Sequence, residues 1–132
     1  MSLLDDYIKK TVQPTIEEFE RDISPRRAFL TAVVIFHAVD RAAVDQGMRT
    51  SGNLRNEWGK SSAAFKIVDV VAHRFKHVRS GDEGQPRRLD EGKKQWGDLT
   101  YGHALARMTM HEFSVTLKSA IRFVEEQAAT RR

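Results

Sequence analysis

The chain has 132 residues, 40% hydrophobic and 30% charged, with a formal net charge of +4. That balance fits one folded domain with one core, and no apolar run approaches the roughly 18 residues that a membrane span needs. The absence of cysteine excludes disulfides, thiolate chemistry and cysteine-ligated zinc, so any metal would need histidine and carboxylate ligands.

The opening segment, MSLLDDYIKK, carries acids where a signal peptide carries bases, and a cytoplasmic protein with no membrane partner is expected. Apolar Leu4, Ile8, Val12, Ile16 and Phe19 recur at helical spacing and predict a first helix from about residue 3 to 21. Pro14 lies inside it and should kink or split it, because proline lacks an N–H and clashes with the preceding turn. A second helix is expected to start at Ser24–Pro25, a good N-cap followed by proline at the first helical position, and to run to about Gly47. Between Ala28 and Val39 only Thr31 and His37 are polar, which suits a central helix.

Asn53–Trp58 is expected to form a short helical turn. A third helix is predicted from about Ser61 to Val78, capped by Ser61 or Ser62, with a stripe of Ala64, Ile67, Val68, Val71, Phe75 and Val78. Residues 79–102 read as a long loop rich in glycine and charge. A fourth helix, from about Tyr101 to Ala129, carries Ala106, Met110, Phe113, Leu117, Ala120, Ile121 and Val124 on one face. The expected fold is all-α: one domain over residues 1–132, a four-helix bundle, up-and-down, with the long loop before the last helix.

Within the third helix, Asp69, His73 and His77 fall at steps of four and share one face. The wheel sets that face opposite the apolar stripe, toward solvent, an interface or a groove under the long loop. Two histidines four apart can hold one metal ion, and Asp69 would add a carboxylate, but Lys66 and Lys76 on the same side raise the cost of a cation. The charge is uneven. Residues 1–24 hold six acids and three bases, whereas residues 73–94 hold seven bases (Arg74, Lys76, Arg79, Arg87, Arg88, Lys93, Lys94) and four acids. A basic segment of this kind can attract phosphate, or it can be an ordinary solvated loop.

On the second helix, His37 shares a side with Leu30, Val33, Val34 and Val44 and is expected to be less solvated than His73. It reads either as a histidine satisfied between helices or, with Asp40, as a partner of the third-helix row. Arg107 and His111 read as a surface pair at i and i+4, and His103 as a residue at a helix start. GKSS at residues 59–62 lacks the strand and the leading glycine of a phosphate loop. No cofactor motif is found, and no cofactor is expected.

Two segments, RRAFLTAVVIFHAVDRA and FKIVDVVAHRFKHVR, resemble a group of small, uncharacterised bacterial helical proteins. There an alanine-rich helix ends in His then Asp, and a second carries Asp, a spacer, Asn, then Lys-His. Asp69, Lys76 and His77 match that pattern, with His73 in place of the Asn. The group is similar in outline to HEPN-type bundles, a resemblance that implies a helical fold, frequent dimerisation and RNA as target. The HEPN ribonuclease motif, Arg and His separated by four to six residues, is absent: Arg74 and His77 are separated by two, Arg107 and His111 by three.

Three functions follow as expectations. The first is binding of, or action on, RNA or nucleotide phosphates through His77, His73, Lys76, Arg74 and Asp69, with His37 and Asp40 as second-helix partners. The second is a non-enzymatic homodimer or complex-forming protein. The third is a metal enzyme using Asp69, His73, His77 and His37. Whether the chain is an enzyme is left open by its sequence.

Overall fold

The computed structural model describes residues 2–80 and 109–130, and between 74 and 80 only the backbone. Every regular element among these residues is helical: α1 (Leu3–Tyr7), a π-helical turn (Ile8–Val12), α2 (Gln13–Arg21), α3 (Pro25–Phe36), α4 (Ala38–Asp45), α5 (Gly52–Ser61), α6 (Ala63–Ser80) and α7 (Met110–Ala129). The all-α expectation holds. None of the described helices is long and apolar enough to cross a membrane. Of the expected loop at 79–102, Arg79 and Ser80 belong instead to α6, and the rest lies outside the described residues, as do Ala106, His103 and Arg107.

The first predicted helix is one continuous run of three segments. Leu4, Ile8, Val12, Ile16 and Phe19 are all buried, as their spacing requires. Pro14 does not split it. Instead the turn before it widens, and the Gln13 N–H donates to the Ile8 carbonyl, five residues back. An i−5 turn is a recognised way to relieve the collision between a proline ring and the preceding turn. At the other end, the Asp45 carboxylate of α4 accepts from the Leu3 and Leu4 N–H groups at 3.0 Å each, satisfying otherwise orphaned donors.

The second predicted helix breaks where the sequence suggested continuity. His37 stands between α3 and α4 with φ −69° and ψ −7°. The break leaves carbonyls in the last turn of α3 in need of donors, and the Tyr7 hydroxyl donates to one of them, Val34 O, at 2.6 Å. The start of α3 is as expected, with Ser24 Oγ accepting from the Arg27 N–H. So is the stop after α4. Gly47 takes φ +72°, Met48 N–H donates to Ala43 O and Gly47 N–H to Val44 O, the double closure that a left-handed glycine permits.

Asn53–Trp58 belongs to a ten-residue helix, α5, rather than a single turn. Ser62 caps α6 by accepting from the Phe65 N–H, and Thr109 caps α7 by accepting from the Glu112 N–H. Helix α3 packs on α6, α7 and α2, while α6 also meets α5 and α7. Between them Trp58 meets Phe65 and Phe123 edge-on, at centroid distances of 5.2 and 5.6 Å. Leu117, Ala120, Ile121 and Val124 close the core from α7.

Candidate functional site

Among the described residues, Asp69 is the charged one that this core encloses. It is 2% exposed, which corrects the reading that places it on the outer side of its helix. The buried side of α6 runs through Phe65, Val68, Asp69, Val71 and Ala72. At 100° per residue that face is turned by about 80° from the stripe drawn on sequence. The cause is tertiary: α3, α5 and α7 pack around α6 on more than one side, so a residue well off the apolar stripe still meets a neighbour.

A carboxylate taken out of water requires compensation. Arg55 of α5 supplies it, with Nε donating to Asp69 Oδ2 at 2.7 Å. One turn along α6, His73 Nδ1 lies 2.8 Å from Asp69 Oδ1 and 2.9 Å from the Asp69 carbonyl oxygen. Hydrogen-bond geometry is met only toward the carbonyl. The Oδ1 approach is thus a close polar contact without an aligned bond, and Oδ1 is buried with no hydrogen bond among the described residues. The imidazole is nonetheless fixed, because the Asp69 carbonyl and carboxylate both crowd Nδ1. Its side chain is 29% exposed and its ring meets Phe36 edge-on at 5.0 Å.

A second imidazole–carboxylate pair stands at the α3–α4 break. His37 Nδ1 lies 2.9 Å from Asp40 Oδ2. The His37 side chain is 47% exposed, so it is more solvated than His73, the reverse of the order read from sequence. The reason is that the side shared with Leu30 and Val44 is an exposed one: both residues stay about half accessible, and the buried stripe runs instead through Ala28, Ala32, Ile35, Val39 and Ala42. Burial pushes the Asp40 carboxyl up. Hydrogen bonds from His37 and Ser51, with the His37 and Arg41 charges, outweigh it and hold Asp40 below the usual carboxylate range. Nearby, Arg41 stacks over the Tyr7 ring at 4.3 Å, and burial raises the Tyr7 hydroxyl above its ordinary value against the pull of Arg41.

Phe36 joins the two pairs. Its ring meets His37 at 5.4 Å and His73 at 5.0 Å, and the Arg55 guanidinium lies 5.6 Å from its centroid. It is seated by stacking on the fully buried Phe65 at 6.3 Å. The structure therefore gathers Asp69, His73, His37 and Asp40 around one aromatic side chain. Arg74, Lys76 and His77 continue α6 beyond His73, but their side chains lie outside the described residues. So does His77 as a ligand of the expected metal set. Among the described residues no group of three or more histidines and carboxylates is placed to hold a metal ion. His111 is exposed at the start of α7.

Sequence reasoning missed Arg55 and Phe36. Arg55 lies 14 positions from Asp69 on a different helix, and no local spacing connects them. Phe36 reads as one more apolar residue of the second helix. No family model matches the chain, and no curated protein or solved structure is significantly similar to it.

Proposed function

We propose that this protein is a helical domain that binds the phosphate groups of RNA or nucleotides, and acts on them, where Arg55 and His73 stand over Asp69. One observation carries the reading: a carboxylate 2% exposed lies 2.7 Å from a guanidinium nitrogen and 2.8 Å from an imidazole nitrogen. Compensating the buried charge fixes a cation and a proton-exchanging ring side by side. Phosphate chemistry uses that pairing, the cation neutralising oxygen charge and the imidazole moving a proton. The sequence adds Arg74, Lys76, His77 and Arg79 directly after His73.

The resemblance to HEPN-type bundles supports the same target class. Because the HEPN Arg/His motif is absent, the reading rests on Arg55, Asp69 and His73. The architecture we propose is a four-helix bundle in which α5 is an added connector.

Fluorescence anisotropy with a labelled RNA oligonucleotide tests it. Affinity should fall as salt rises, and Arg55→Lys and His73→Asn should each weaken binding about tenfold, the loss expected for one good polar contact. Lys76→Ala combined with His77→Asn should lower the salt slope by about 1–2. A purely structural cluster gives the opposite pattern, lower stability with unchanged affinity, and that result sinks the proposal.

A second reading, a homodimer, is favoured by Leu3 and Val44, which are 51% and 59% exposed and flank the contact between α1 and Asp45.

A further inference from the structure

We infer that the cleft between α2 and the start of α3 is a binding site for a free α-amino acid with an aliphatic side chain. The site is independent of the phosphate-directed one. Its residues stand at the opposite end of α3 from Phe36, roughly 15 Å away along the helix axis at 1.5 Å per residue.

The cleft has a volume of about 250 Å³ and is lined by Thr15 and Glu18 of α2 and by Arg26, Arg27, Leu30 and Thr31 of α3. Helical period brings each set to one wall. Thr15 and Glu18 are one turn apart, and Arg26 and Arg27 stand one turn before Leu30 and Thr31. The chain reverses between the two helices, where Arg27 Nη1 donates to Asp22 Oδ2 at 2.7 Å. A volume below the roughly 300 Å³ at which pockets for drug-sized molecules begin suits a small metabolite.

Charge narrows the class. Arg27 is compensated by Asp22, whereas among the described residues neither Glu18 nor Arg26 has an ion-pair partner. One anion on α2 and one cation on α3 are therefore left to a ligand. A bare anion would lie against Glu18 and a bare cation against Arg26, but a zwitterion satisfies both. The hydroxyls add a sign. Thr15 Oγ1 donates to Thr11 O at 2.6 Å, and Thr31 Oγ1 to Arg27 O at 2.7 Å. A hydroxyl has one proton, so toward a ligand each acts only as an acceptor. Glu18 and Thr15 thus match an ammonium group, and the planar fork of Arg26 matches a carboxylate. Leu30, on the same wall as Arg26, is 48% exposed, and an aliphatic side chain laid on it removes apolar surface from water. An α-amino acid carries all three features on one carbon.

Titration of the full ¹⁵N-labelled chain with L-leucine, followed by amide NMR, tests the site. Saturable shifts should centre on the residues from Thr15 to Thr31, with a dissociation constant on the order of 1 mM, as for a small ligand in an open cleft. Leucinamide and N-acetyl-leucine each lack one charge, and glycine lacks the side chain. Each should bind about tenfold more weakly or worse. Glu18 and Arg26 are exposed, so Glu18→Gln and Arg26→Gln should leave the denaturant midpoint unchanged while weakening L-leucine about tenfold. The pairing is read from the cross-terms: in Glu18→Gln the penalty for N-acetylation should shrink and that for amidation persist, and Arg26→Gln should show the reverse.

No saturable shift at tens of millimolar L-leucine overturns the inference. So does equal binding of leucine and its two blocked forms, or an affinity for leucine that both substitutions leave unchanged. Inorganic phosphate that reproduces the leucine shifts at the same concentration overturns it too, because phosphate has no ammonium group for Glu18. None of these outcomes bears on phosphate binding at Arg55 and His73.

Discussion

At the scale of single residues, the two carboxylates of the site differ in what their surroundings ask of them. Asp69 is enclosed, so its charge is tolerated only with Arg55 and His73 against it. Asp40 remains partly accessible: burial, the largest single effect, pushes its carboxyl up, and His37, Ser51 and Arg41 together outweigh it. Its folded-state value lies below the ordinary 3.8. The stabilisation this represents is therefore present above the unfolded value and is lost as pH falls through the lower folded value. Urea midpoints collected from pH 6 down to about pH 2 should decline less steeply for Asp40→Asn than for the wild type. Identical acid limbs would show that Asp40 is not linked to folding.

At the scale of elements, helix ends were the most legible feature and helix faces the least. Serine and threonine caps announce themselves because the requirement is local: a side-chain oxygen must reach an N–H two or three residues on. Ser24 and Ser62 meet it as read, and Thr109 meets it with Glu112 three positions later, a signal the chain offered and the sequence reading passed over by starting the helix at Tyr101. Replacing Ser62 or Thr109 by alanine should cost about 1 kcal/mol each in denaturant-determined stability. A loss well under half of that would mean the cap is redundant with packing. Interruptions were harder to read. Pro14 signalled a break that a π-turn absorbs, whereas His37, with no breaker residue beside it, marks a real one.

At the scale of the whole molecule, small residues on α3 and α4 let helices approach closely, and larger ones remain outside. Ala28, Ala32, Ala38, Ala42 and Ala43 are buried, while Leu30 and Val44 are about half exposed. Isolated apolar residues on a surface are ordinary. Leu3 and Val44 lie on two segments that Asp45 holds together through the Leu3 and Leu4 N–H groups, and the dimer reading takes them as one patch. If that patch is a dimer contact, light scattering should show a concentration-dependent dimer that Leu3→Asp combined with Val44→Asp converts to monomer. A wild-type protein that stays monomeric at every accessible concentration removes the dimer reading.

By itself, the sequence determined the helical class, the buried stripes of the first and last helices, the caps at Ser24 and Ser62, and the choice of Asp69, His73, His37 and Asp40 as candidates. These follow from periodicity and from requirements satisfied within a few residues. Tertiary structure alone decided that Asp69 is buried, that Arg55 is its partner, that Phe36 stands between two histidines, and that His37 is the more exposed of the pair. A helical wheel assigns an angle to each side chain, but it holds no information about how many neighbours surround the helix. Among the described helices three pack closely on α6, and they turn a polar row into a buried carboxylate with its cation above it.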